Sequence, residues 1–480
     1  RELQPLAELQ YRGLFFSQKN SRDWTLLAFL RSEDGGLGLD VAQDAQTVDA
    51  LGRSVLMLAD TPVATLHGRR LEATDFDQIL LPDPTRDLLR WLDDPTGTKA
   101  KWTSEHWGAF RSRCKEAFAF DPQTDGELVG AELLGRKKGA WSLVWRRFAE
   151  SPRSYPGLPD LLRRAEPAAH DMFEDRSSWP KSQEALESEL RVQLLALEAK
   201  TSAQAIQLLG DLEAQHGERR DGVWAELGLA PLARALEHLA ALANVATKPL
   251  AAAKPAELAQ TYIQGGWQAD AAVLRALGGV ERSDDLAAVR AAIRAVYLPW
   301  LETSSERLQK LVDDQGYPGH APVALTGTEV PTGQCVLFAD GLRFDVGQML
   351  ANALQRRGLT VGVRHRWAAL PSVTPTCKAA VAPIAALVKG QSHDDEFLPS
   401  VAATGEPLVT HRFRKLLDEA GYQVLDREDG GNTSGRGWTE HGDLDSYGHK
   451  ATLVDIGEKA VELWWNAEDT VDLILLDVQM

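Results

Sequence analysis

Three short segments in the last third of the chain carry residue types that can work on phosphate and metal. The first, Asp340-Gly341-Leu342-Arg343-Phe344-Asp345, directly follows the apolar run Cys335-Val336-Leu337-Phe338-Ala339. A carboxylate at the end of a buried strand, with a glycine beside it to let the backbone turn, is a common way to present a metal-binding oxygen. The same residues also suit a turn cap at Asp340 and a helix start at Asp345. The second segment is Leu370-Pro371-Ser372-Val373-Thr374-Pro375-Thr376-Cys377-Lys378. Pro375 fits a first helical position and Thr374 the N-cap before it, which predicts a hydroxyl at a helix N-terminus, where N–H donors and positive dipole favour a phosphate. A hydroxyl attacks only when activated, so a nucleophile here requires a metal beside it; otherwise Thr374 is simply a cap. The third segment, His441-Gly442-Asp443-Leu444-Asp445-Ser446-Tyr447-Gly448-His449, sets Asp445 and His449 four apart, an oxygen and a nitrogen donor of the kinds zinc accepts. The same residues also suit an ordinary Asp-rich loop in which His449 is incidental.

The elements that position these segments follow from their rhythm. The continuous apolar run 335–339 reads as a strand buried on both faces. Helical spacing covers Val346 to Arg357, Pro375 to Leu387 and His411 to Ala420, with strand-like runs at Leu359 to Val363, Gln423 to Leu425 and Val471 to Leu476. Alternating strand and helix predicts an α/β parallel sheet flanked by helices, with reactive groups past the carboxyl ends of the strands. Upstream, residues 1–165 mix strand-like runs (Trp24 to Leu30, Ser54 to Leu58) with half-buried helices at 87–92 and 141–148, predicting a mixed α/β domain. Residues 166–312 are rich in Ala, Leu, Glu and Arg and predict a helical domain. The Gly- and Pro-rich stretch 313–334 reads as a linker, and 335–480 as the α/β domain that carries the three segments.

The whole-chain numbers narrow the class. At 480 residues the chain is long enough for roughly three domains of about 150 residues. With 44% hydrophobic residues and 14 Trp it can fill large cores, which excludes general disorder. The three cysteines, Cys114, Cys335 and Cys377, are widely spaced and fit neither a disulfide framework nor a thiolate zinc site, as expected of a cytoplasmic protein. No apolar run reaches the roughly 18 residues that cross a bilayer, so no membrane partner is expected. A net charge of −17 argues against a surface built for non-specific nucleic-acid binding. Within it, residues 343–378 hold Arg343, Arg356, Arg357, Arg364, Arg366 and Lys378 against one acid, Asp345, a local basic patch.

Taken together, the three segments resemble the metal and nucleophile motifs of the alkaline phosphatase superfamily. Asp340-Gly341 is similar to its first metal motif, Pro371-Ser372-Val373-Thr374 to the segment that brings its threonine to a helix start, and Asp445-x-x-Gly448-His449 to the metal motif of its phosphodiesterase branch. Asp340 to Asp345, Pro371 to Pro383, Arg1 to Gly13 and Gly36 to Val41 further resemble PglZ proteins of bacteriophage-exclusion (BREX) systems. The resemblance implies an alkaline-phosphatase-like sheet at the carboxyl-terminal end and a phosphohydrolase activity, with phosphodiesterase or nuclease preferred to phosphomonoesterase. It implies two divalent ions, zinc first, held by Asp340 on one side and by Asp445 and His449 on the other. Thr374 is then the nucleophile, Thr376 its competitor, and Arg343 and Lys378 the phosphate contacts. Other BREX proteins are the implied partners, with DNA through the basic patch. The superfamily also uses a later Asp-His pair and a further His. Here the run 471–476 leads to Asp477 without a following His, so the domain is expected to be incomplete at that end, and a scaffold with a decayed site is the rival expectation.

Overall fold

The amino-terminal helices are set by their first residues. Thr25 accepts from the Ala28 amide at 3.2 Å and opens a helix at Leu26–Arg31; Asp44 accepts from Thr47 N at 2.9 Å and opens Ala45–Leu58. Asp83-Pro84 and Asp94-Pro95 do the same for Pro84–Asp93 and Pro95–Lys101. In this computed structural model the described residues are 25–33, 35–168, 175–320, 332–390, 397–425, 434–441 and 472–476. The chain divides into two compact units, Arg1–Ser188 with Glu218–Ala230, and Glu189–Gly217 with Pro231–Met480.

Among its described residues the first unit is helical, against the expectation of a mixed α/β domain in residues 1–165. Leu26 to Leu30 of the first strand-like run and all of the second lie in helices, while Trp24 lies outside the described residues: the side-chain caps at Thr25 and Asp44 fix helical starts, and Ala50, Leu51, Ser54 and Leu58 recur three and four apart on one buried face. Among the described residues of that stretch the only ladder contact is the bridge Val41–Leu71. Helices expected around 87–92 and 141–148 are found at Pro84–Asp93 and Trp141–Ala149. Their core is aromatic, with Trp91, Phe110, Phe120, Trp141, Phe148 and Trp179 buried together.

The second unit joins a helical part to a small sheet. Leu and Ala from Pro231–Ala246, Trp267–Gly278 and the 33-residue helix Ser283–Gln315 make one core. That last helix runs three residues into the stretch expected to be linker, and a 3₁₀ turn follows at Pro318–His320. Strands Tyr422–Leu425, Arg436–His441 and Gln334–Ala339 lie side by side in that order, with Asp472–Leu476 on the other side of Gln334–Ala339, all parallel. Val336, Phe338 and Trp438 are buried against Ala379 and Val381 from helix Thr374–Val381 and against Phe413 and Leu417 from helix Thr410–Glu419. The fold class is therefore mixed α/β, mostly helical, with a parallel sheet toward the carboxyl-terminal end. The strand expected at Leu359 to Val363 is not formed; residues 357–373 hold no helix or strand. Gly362 interrupts that run and Val363 stays 48% exposed, so no face is buried to drive pairing.

Candidate functional site

Strand Gln334–Ala339 ends where Asp340 begins, and Gly341, at φ 70°, turns the chain in the left-handed region that only glycine enters cheaply. Arg343 then takes the N-cap position of helix Phe344–Arg356. Ala339 pairs with His441, so the neighbouring strand ends at the same sheet edge. Across from Asp340, helix Thr374–Val381 starts after Val373, whose extended backbone accepts from Cys377 N at 2.9 Å.

The structure brings Asp340 and Thr374 together. Thr374 Oγ1 donates to the Asp340 carboxylate and lies 3.1 Å from both Oδ1 and Oδ2, a contact spanning 34 residues of sequence. This corrects the expected N-cap role of Thr374: Val373 holds that position, and no side chain caps this helix. Val373 is the extended residue before the helix, so Thr374 is already its first helical residue, and its hydroxyl is turned to the carboxylate at the strand end. Thr376 does not share in the pair, since its hydroxyl donates to the Phe397 carbonyl at 3.1 Å. Phe397 itself holds a left-handed backbone at φ 54°.

The two expected phosphate contacts are engaged elsewhere. Lys378 pairs with Glu440 and sits 4.8 Å from the Phe413 ring centre. Arg343 points Nε at Asp345 Oδ1, 3.0 Å away, and Nη2 at Asp270 Oδ1, 3.4 Å away. Asp445, His449 and Asp477 lie outside the described residues. Among the described residues no group of three or more His, Cys, Asp or Glu is gathered for a metal.

Behind the Asp340 loop lies a polar cluster that sequence reading missed. Asp270 on helix Trp267–Gly278 accepts from Tyr262 Oη at 2.7 Å and from Tyr297 Oη, besides its pair with Arg343. Tyr262 opens a π-helical turn, Tyr262–Gly266. Residues eight apart on an ideal α-helix sit about 80° from one another; the wider π turn rotates less per residue and lets Tyr262 face Asp270. Burial, followed by Asp270, pushes both phenol hydroxyls well above their usual range, so they are donors at neutral pH. Burial likewise raises the Asp345 carboxyl, against the pull of Arg343. Burial draws the Arg343 guanidinium down, but Asp345 and Asp270 more than offset it and its pKa rises. The one local signal was Tyr262-Ile263-Gln264-Gly265-Gly266, a glycine pair inside an Ala- and Leu-rich helical stretch. The partners of Asp270 lie 27 and 73 positions away at Tyr297 and Arg343, beyond any local pattern.

Comparison with family models, curated proteins and solved structures returns no match for this chain.

Proposed function

We propose that this chain is a metal-dependent phosphoric ester hydrolase of the PglZ type, built on an alkaline-phosphatase-like sheet, and that it acts as a phosphodiesterase or nuclease in bacteriophage exclusion. The observation that carries the reading is the pairing of Thr374 with Asp340 at a sheet edge. A capping threonine turns its hydroxyl onto its own helix; this one faces a carboxylate supplied by a strand end. The N-cap residue of the helix it starts, Val373, makes no side-chain cap bond, and the positive end of a helix favours an anion.

A divalent cation such as zinc fits the donor set. Asp340 and Thr374 offer one carboxylate and one hydroxyl oxygen at the same sheet edge, hard donors of the kind divalent cations accept, 3.1 Å apart in the hydrogen bond they now make. Those two would hold it, and the family resemblance assigns a second ion to Asp445 and His449. When bound, such a cation lowers the pKa of the hydroxyl and neutralises charge on the phosphoryl oxygens. Thr374 Oγ1 forms a bond to phosphorus as the ester P–O bond breaks, its proton leaving by way of the Asp340 carboxylate it already faces. The departing alkoxide takes a proton from solvent, and water then cleaves the threonyl ester to restore Thr374.

No described helix is long and apolar enough to cross a membrane. The reading places the protein in the cytoplasm with other defence proteins, and gives DNA the exposed arginines Arg356 and Arg364 as a docking surface. The test is hydrolysis of bis-p-nitrophenyl phosphate by the purified full-length protein, with its catalytic domain complete, in zinc or manganese, with acid-quenched samples examined by mass spectrometry. Metal-dependent turnover and a phosphoryl adduct on the peptide carrying Thr374 are expected. No turnover of diesters with either metal refutes the reading.

A further inference from the structure

We infer that Asp270, with Tyr262 and Tyr297, positions the Asp340 loop through Arg343, so that the helical part of this unit sets the geometry of the Asp340–Thr374 pair. This rests on the proposed function only for its catalytic consequence; the positioning itself is a statement about structure.

The loop has few restraints of its own. Gly341 supplies the turn and with it conformational freedom, and the helix that follows has no side-chain cap. Three residues after Asp340, however, Arg343 is held from two sides. Its Nε and Nη2 meet Asp345 Oδ1 and Oδ2 at 3.0 and 3.4 Å, and its Nη2 meets Asp270 Oδ1 at 3.4 Å. Asp345 and Asp270 leave only 1% and 9% of their side chains exposed. Leu342 and Phe344, on either side of Arg343, are buried, and Phe344 packs on Tyr262 with ring centres 5.8 Å apart.

Stability alone is a poor reason for such a cluster. Two buried carboxylates are expensive to desolvate, and apolar residues of the same volume commonly stabilise as well or better. What a fully bonded polar cluster supplies is direction, because each member holds only when the others are in place. Here both oxygens of Asp270 are taken by phenols, which leaves the carboxylate no freedom to swing away from Arg343. The Arg343 side chain, 45% exposed, is thereby held on its Asp270 side, and with it the first turn of the helix that follows Gly341. Asp340, carried at the other end of that turn, inherits its position.

The experiment compares Asp270→Asn and Tyr297→Phe with Arg191→Gln. The last breaks a buried pair with Asp285, at 2.7 Å in the same helical part, without touching the cluster. Hydrogen exchange by mass spectrometry over residues 336–345, kcat and KM for bis-p-nitrophenyl phosphate, and melting temperature are read for each. Asp270→Asn should speed exchange of residues 341–343 and lower kcat, each about tenfold or more, with KM within about twofold. Tyr297→Phe should do the same more weakly, and covers the case in which Asp270→Asn fails to fold. Arg191→Gln should lower the melting temperature and leave both other readouts unchanged. Unchanged exchange at 341–343 in a folded Asp270→Asn or Tyr297→Phe protein overturns the inference. Faster exchange in these variants, where the wild type hydrolyses nothing, upholds the positioning and overturns the proposed function.

Discussion

Thr374→Ala separates a structural role from a catalytic one because the structure makes the structural cost small. The substitution removes one part-buried hydrogen bond to a carboxylate, worth about 1.5–3 kcal/mol because the acceptor is charged. No cap is lost with it, since Val373 holds the N-cap position, so the further penalty of about 1 kcal/mol for a missing cap does not apply. Against an unfolding free energy of about 5–15 kcal/mol, such a loss leaves more than about 95% of the protein folded. The melting temperature should fall by only a few degrees. Loss of a nucleophile is of another order: about a thousandfold or more in rate, equivalent to about 4 kcal/mol in the barrier. Initial rates on bis-p-nitrophenyl phosphate beside a thermal melt therefore decide the matter. Thr374→Ser, keeping a hydroxyl, should retain part of the rate. Thr376→Ala is the control, because its hydroxyl serves the Phe397 carbonyl. An inactive Thr376→Ala with an active Thr374→Ala would move the nucleophile two positions. Activity in both would end the covalent mechanism.

Lys378→Met should leave KM within about twofold, because the ammonium is spent on Glu440 and the Phe413 ring; a tenfold rise would mean that it turns to the substrate. Gly135→Ala should destabilise the first unit by about 1–3 kcal/mol in a denaturant melt, since an added Cβ would fall 2.3 Å from a ring carbon of the fully buried Trp179; an unchanged midpoint would show that the ring yields freely. Asp121 is held far below the ordinary carboxylate value of 3.8, first by its hydrogen bond from Arg111 and then by Lys115. A depressed folded pKa contributes stability that is present above 3.8 and lost as pH falls below it. Asp121→Asn should accordingly cost the first unit more melting temperature at pH 7 than at pH 2.5, and equal losses at both would refute the assignment.

How much was legible in the sequence depends on how far apart the deciding residues lie. The amino-acid sequence by itself determined the sheet strand 335–339, the turn at Gly341, the helix that starts beside Pro375 and the helical character of the middle of the chain. Each is written in a few neighbouring residues: an apolar run, a glycine, a proline, a Leu and Ala stripe. It failed where Leu26 to Leu30 and Ser54 to Leu58, within short apolar runs read as strands, are helical, because the caps at Thr25 and Asp44 outweigh residue preference there. It also failed at Leu359 to Val363, where a strand needs a neighbour to pair with. Only the tertiary structure decided what the polar side chains do. Hydrogen-bond partners are chosen by distance in space, and the fold brings Asp340 to Thr374, Lys378 to Glu440, and Arg343 to Asp270 across 34, 62 and 73 positions. Thr374 reads as a helix cap until the strand end arrives beside it with a carboxylate, and Asp270 reads as one more acid on a helix until two tyrosines and an arginine close around it.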